Sequence, residues 1–66
     1  MNPRKQAEQA LKENHFFLYR QGGNHEIYKD EQTGQIIPIK RHDFNDNDLK
    51  YILKEIYQIK KGGRGR

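Results

Sequence analysis

Sixty-six residues are enough for one domain with a thin core, since at this size folding buries only about 60% of the surface that the unfolded chain exposes. The absence of cysteine excludes a disulfide framework and a thiolate metal site. Thirteen Lys and Arg against nine Asp and Glu give a net charge of +4, which hints at a nucleic-acid partner but lies almost wholly in the last third of the chain. From Leu49 onward Lys50, Lys54, Lys60, Lys61, Arg64 and Arg66 face one acid, Glu55, whereas the earlier residues are nearly balanced. His15, His25 and His42 are scattered and lack the spacing of a zinc site, so no metal and no cofactor is expected. With no apolar run of membrane-span length and no signal-peptide core at the N-terminus, the expectation is a soluble, cytoplasmic protein without membrane contact.

The opening "NPRKQAEQALKENH" carries a helix start. Asn2 can cap, Pro3 suits the first helical position, and Gln6 stands where a capping-box side chain reaches back. Ala7, Ala10, Leu11 and Asn14 mark one narrow face, and Asn14 and His15 end the segment. "FFLYRQ" is rich in strand formers, with Phe16 and Leu18 on one side and Phe17 and Tyr19 on the other. Gly22-Gly23 signals a hairpin, because both central positions of a type I′ turn need positive φ. "NHEIYKD" is the second strand, with His25 and Ile27 on one face and Glu26 and Tyr28 on the other; in "DEQTG" Gly34 supplies a left-handed turn position. "QIIPIK" is the third strand, and Pro38 makes it an edge or a bulged strand because proline donates no ladder hydrogen bond. "RHDFNDND" reads as a polar loop. It leads into "LKYILKEIYQIKK", where Leu49, Ile52, Leu53, Ile56 and Ile59 form the core stripe, Asn45 or Asp46 can cap, and Asp48 complements the dipole.

The predicted class is α+β, in the order α-β-β-β-α: a three-stranded antiparallel sheet with two helices packed on one face, as in double-stranded-RNA-binding domains. The other sheet face is left for a ligand. One residue is not explained by the hairpin that it follows, namely His25. Cleavage of RNA by attack of the neighbouring 2′-hydroxyl needs a base for that hydroxyl and positive charge for the phosphate oxygens. A histidine, ordinarily titrating near pH ~6.5, suits the first role, and Arg20 with Lys29 or Lys40 the second. His42, Tyr19 and Tyr28 are unranked candidates for a second acid. No Ser-His-Asp set, paired carboxylates or metal cluster competes with this chemistry.

The segment "FFLYRQGGNHEIYKDEQTGQIIPIKRHDFNDNDLKYILKEI" resembles the HicA toxins, small mRNA interferases of type II toxin-antitoxin systems. Their motif, roughly Arg-Gln-Lys-Gly-Ser-His-His-Ile-Phe, stands here as Arg20, Gln21, Gly22, Gly23, Asn24, His25, Glu26, Ile27 and Tyr28. Pro38-Ile39 matches a Pro-hydrophobic pair, and Leu49 to Lys54 match the final helix pattern. The likeness runs from about Ala7 to Ile56, with Asn24 in place of the usual serine, Glu26 in place of a second histidine, and Lys40 where a histidine often stands. It implies a single HicA-like toxin domain over residues 1–61, followed by a disordered basic tail over 62–66. It also implies a metal-independent endoribonuclease acting on mRNA, with His25 as general base and Arg20, Gly23, Asn24, Lys29 and Lys40 as RNA-binding residues. A HicB-like antitoxin would cover the RNA-facing surface. A non-catalytic RNA-binding or regulatory module of the same fold is the alternative.

Overall fold

The computed structural model describes residues 2–61, and the tail expected at 62–66 lies outside them. Five elements follow one another: α1 (Pro3–Glu13), β1 (Phe16–Gln21), β2 (His25–Asp30), β3 (Ile36–Lys40) and α2 (Asp46–Lys60). The strands form one antiparallel sheet in the order β1-β2-β3, and α1 and α2 pack together on one side of it. This is the predicted order, and Pro38 lies on an edge strand.

Helix α1 starts where the sequence places it, with Pro3 in the first turn and the Asn2 side chain accepting from the Lys5 amide at 2.8 Å. That cap makes Lys5 the third helical residue, so Gln6 falls one position beyond a capping box. The helix ends at Asn14, and His15 takes up the left-handed conformation at φ 69° to turn the chain into β1. Helix α2 takes Asn45, one of the two caps read from the sequence, and so begins at Asp46, three residues before the stretch quoted for it; Asn45 and Asp48 form a reciprocal capping box. The Asn45 side chain accepts from the Asn47 and Asp48 amides, and Asp48 accepts from the Asn45 amide. Asp46, Asn47 and Asp48 are therefore the first helical turn rather than loop. Phe44 and Leu49 occupy the two positions of a hydrophobic staple, and both pack against the core.

The core joins Ala7 and Leu11 of α1, Phe16, Tyr28, Ile37 and Ile39 of the sheet, and Ile52, Ile56 and Ile59 of α2. Leu53 is not part of it. At 45% exposure it sits on the flank, about 100° around the helix from Ile52, and the true stripe is Leu49, Ile52, Ile56 and Ile59. Among the described residues one charged side chain is fully enclosed: Asp30, at the end of β2, accepts from the Gln32 amide, the Thr33 hydroxyl and Lys60 Nζ at 2.9 to 3.0 Å. This cluster ties the β2–β3 turn, which passes through Gly34 at φ 80°, to the last turn of α2.

Candidate active site

Strand alternation separates two chemistries across β2. Glu26, Tyr28 and Asp30 point to the helices, while His25, Ile27 and Lys29 point to the uncovered face, as the sequence predicts. The Glu26 carboxylate is held on the helix side by the Arg4 guanidinium and by Gln21 Nε2 at 3.3 Å. It therefore does not share a face with His25.

The turn before His25 differs from expectation. Gly22 N–H donates to the His25 carbonyl at 2.7 Å, which makes Gly23 and Asn24 its central residues, and neither lies in the left-handed region. A type I′ turn is therefore not formed. What favours glycine at Gly22 is proximity, since a Cβ there would stand 3.3 Å from the His25 carbonyl oxygen, which would have to give by a few tenths of an ångström. At Gly23 a Cβ would meet nothing within 4 Å. On the other side of the turn, the Arg41 amide donates to the Asn24 carbonyl at 3.0 Å and its guanidinium to the Gly22 carbonyl at 3.4 Å.

A β-bulge decides where Arg20 goes. Leu18 pairs with Tyr28, but Arg20 pairs with Ile27, so Tyr19 is the extra residue. Unbroken alternation would place Arg20 opposite Glu26, on the helix side; the bulge turns it to the face of His25. Beyond it, Gln21 pairs with Glu26, in agreement with their side-chain contact.

Across the other edge of β2, His25 stands directly opposite Lys40. Together they border a cleft of about 230 Å³ between the open side of β3 and the start of α2. Pro38 and Ile52 from the two elements line it with apolar side chains, and Phe44, Asp48 and Tyr51 complete the lining. Lys40 Nζ lies 3.3 Å from the Asp48 carboxylate. The Asn45 amide, joined by Lys40, holds the Asp48 carboxyl below its ordinary value. The His25 ring is exposed and has no hydrogen-bond partner among the described residues.

The structure thus brings His25, Lys40, Asn24 and Gly23 together and aims Arg20 at the same face. Lys29 is apart: it lies four residues along β2 from His25, or about 13 Å, with its ammonium 4.7 Å from the Tyr19 ring centroid. Tyr28 is excluded as a second acid beside His25. It is on the core side, and its phenol is pushed up by burial, with the charges of Glu26 and Glu8 adding to the effect. The sequence reading missed Arg41, Phe44, Asp48 and Tyr51. For Asp48 the capping-box spacing from Asn45 was a usable signal; Tyr51, adjacent to the stripe residue Ile52, carried none. No group of three or more His, Asp or Glu among the described residues could hold a metal ion, and no described helix is long and apolar enough to cross a membrane.

No curated protein and no solved structure gives a match. The family described as the HicA toxin of bacterial toxin-antitoxin matches residues 4–63, a span that takes in both helices, the three strands and the cleft beside His25. An α-β-β-β-α fold that leaves one sheet face uncovered, with this match over nearly the whole chain, decides the relationship: the chain belongs to the HicA toxin family of bacterial toxin-antitoxin systems.

Proposed function

We propose that this toxin is a metal-independent endoribonuclease of mRNA in which His25 is the general base. In this reading the 2′-oxygen of the substrate attacks the adjacent phosphorus and its proton passes to the imidazole. The P–O5′ bond breaks, the departing oxygen takes up a proton, and the products are a 2′,3′-cyclic phosphate and a 5′-hydroxyl. An internal nucleophile of this kind needs no metal to generate it, only a base and cationic partners for the phosphate oxygens. The observation that carries the reading is the position of His25: exposed at the start of the central strand, opposite Lys40, on the face to which the bulge turns Arg20. Gly23 adds uncovered backbone beside the ring, and Asn24 a hydrogen-bonding side chain. Lys29 is suited to a phosphate further along the strand.

A HicA toxin implies an antitoxin, and we assign that role to a HicB-like protein that covers the His25 face. Phe17, Tyr19 and Ile36, all about half exposed on this face, supply the apolar area for such an interface. Expression without the antitoxin should arrest growth, and co-expression should relieve it.

The lack of an orienting partner for His25 among the described residues favours the second reading, a module that grips RNA without cutting it. One experiment separates the two: wild type and His25→Ala incubated with an mRNA in excess chelator, over a range of pH. The nuclease reading expects cleavage that survives chelator, falls at acid pH and disappears in the variant, while RNA binding stays within a few fold. Undiminished cutting by His25→Ala would refute the base, cutting abolished by chelator would refute the metal-free mechanism, and binding without cutting by wild type would establish the module.

A further inference from the structure

The cleft beside His25 has a composition that proton transfer does not require. Pro38, Ile52, Phe44 and Tyr51 give it an apolar and aromatic lining, to which Lys40 and Asp48 add one cation next to one carboxylate. We propose that it is a nucleobase pocket, in which Tyr51 stacks on the base next to the cleaved phosphodiester while Lys40 and Asp48 meet the edge of that base. This rests on the proposed RNA cleavage at His25 and names the part of the substrate that the same site grips.

Three observations support the assignment. Tyr51 lines the cleft and is 54% exposed, so it is open to a ligand there rather than used in the core. A base is a flat apolar face with a polar rim, and aromatic side chains bind such faces irrespective of base identity. Lys40 donates and the Asp48 carboxylate accepts, which together match the adjacent acceptor and donor groups found on base edges. The position also fits. A ribose that presents its 2′-hydroxyl to His25 carries its base one sugar away, and His25 itself lines this cleft. The chain's own capping box fixes part of this lining, because Asp48 is both the third residue of α2 and the partner of Lys40.

The test uses short RNAs of known cut site, intact or abasic at each nucleotide flanking the cut, with wild type, Tyr51→Ala and Tyr51→Phe. Stacking of this kind predicts that Tyr51→Ala lowers kcat/KM on intact RNA about 5- to 150-fold. Tyr51→Phe should stay near wild type, and the abasic substrate should erase the difference between them. A binding arm uses His25→Ala and RNA carrying 2-aminopurine, whose fluorescence is quenched on stacking, with the label moved along the strand; the quench should vanish when Tyr51→Ala is added. Tyr51-dependent quenching without any cleavage by wild type would sink the nuclease reading and uphold the pocket. Normal His25-dependent cleavage with Tyr51→Ala equal to wild type on intact RNA, and no Tyr51-dependent quenching, would overturn the pocket and leave the nuclease standing.

Discussion

Removing either partner of the Asp30–Lys60 pair should be among the most damaging single changes in this protein, and the two removals should differ in kind. Asp30 is fully buried, whereas the Lys60 side chain keeps 21% of its exposure. In Asp30→Ala the abandoned donors are recoverable by water: Lys60 can swing outward, and Gln32 and Thr33 are exposed. The expected loss is about 2–4 kcal/mol, from one charge-assisted hydrogen bond and two turn bonds. Lys60→Met instead strands a carboxylate in the core with only Gln32 and Thr33 to hold it, and breaking a buried pair this way costs about 3–5 kcal/mol. A chain of 66 residues has roughly 3–10 kcal/mol in total, so both variants approach unfolding. Acid adds a second signature. Burial raises the Asp30 pKa, but the Gln32 amide, Lys60 and Thr33 outweigh it and hold the group below its ordinary value. Its contribution is therefore present above the unfolded carboxyl pKa of ~3.9 and is lost as pH falls through the lower folded value. In Lys60→Met burial meets less opposition, the folded pKa rises, and the acid loss should flatten. Urea unfolding followed by far-UV circular dichroism between pH 7 and pH 2.5, on wild type, both single variants and the double, measures all of this. A coupling energy under ~0.5 kcal/mol, or an identical acid profile in wild type and Lys60→Met, would refute the reasoning.

Ile52→Ala should lower the unfolding free energy by about 2–5 kcal/mol and the half-exposed Leu53→Ala by under ~1 kcal/mol, so equal losses in urea titrations would mean that the stripe is misassigned. Gly23→Ala should leave stability within about 0.5 kcal/mol of wild type, because its Cβ meets nothing, while RNA cleavage falls if substrate backbone approaches there; unchanged cleavage would remove Gly23 from the site. His15→Gly should raise the melting temperature through a gain of up to about 1 kcal/mol, since a left-handed residue is strained unless it is glycine and the exposed His15–Glu31 pair at 3.8 Å contributes little; a drop in stability would show that this pair matters.

Local rules foretold the features that depend on them alone. The Asn2 cap, the left-handed Gly34, the edge position of Pro38 and the sidedness of β2 each follow from a residue type and its near neighbours. Features that depend on a second element were out of reach. Whether Leu53 is buried depends on how wide a stripe α1 and the sheet can cover, and they cover only the faces of Ile52, Ile56 and Ile59. Lys60 read as part of a basic end, and only the fold shows that it reaches back 30 positions to Asp30. The Gly22-Gly23 pair was read for the wrong reason. Neither glycine has a positive φ, and the constraint at Gly22 is the close approach of the His25 carbonyl, a distance that no propensity encodes. His25 itself stood out because nothing in a hairpin needs it, and that argument survives the change of turn.

The bulge at Tyr19 shows how one added residue settles a conflict between folding and charge. Side chains in β1 must alternate, and Phe16 is committed to the core, so Arg20 in an unbroken ladder would face the helices opposite Glu26. That position already has its cation, because Arg4 from α1 pairs with Glu26, and a second guanidinium would add charge beneath the sheet. With Tyr19 taken out of register, Arg20 moves to the open face and Gln21, an uncharged partner, takes the place opposite Glu26. The cost is one unpaired residue on an exposed strand, where the Tyr19 ring still contacts Phe17 and Lys29. One side of the sheet thus keeps its carboxylates paired around a thin core, and the other carries His25 with Arg20, Lys29 and Lys40, of which Lys40 is paired with Asp48.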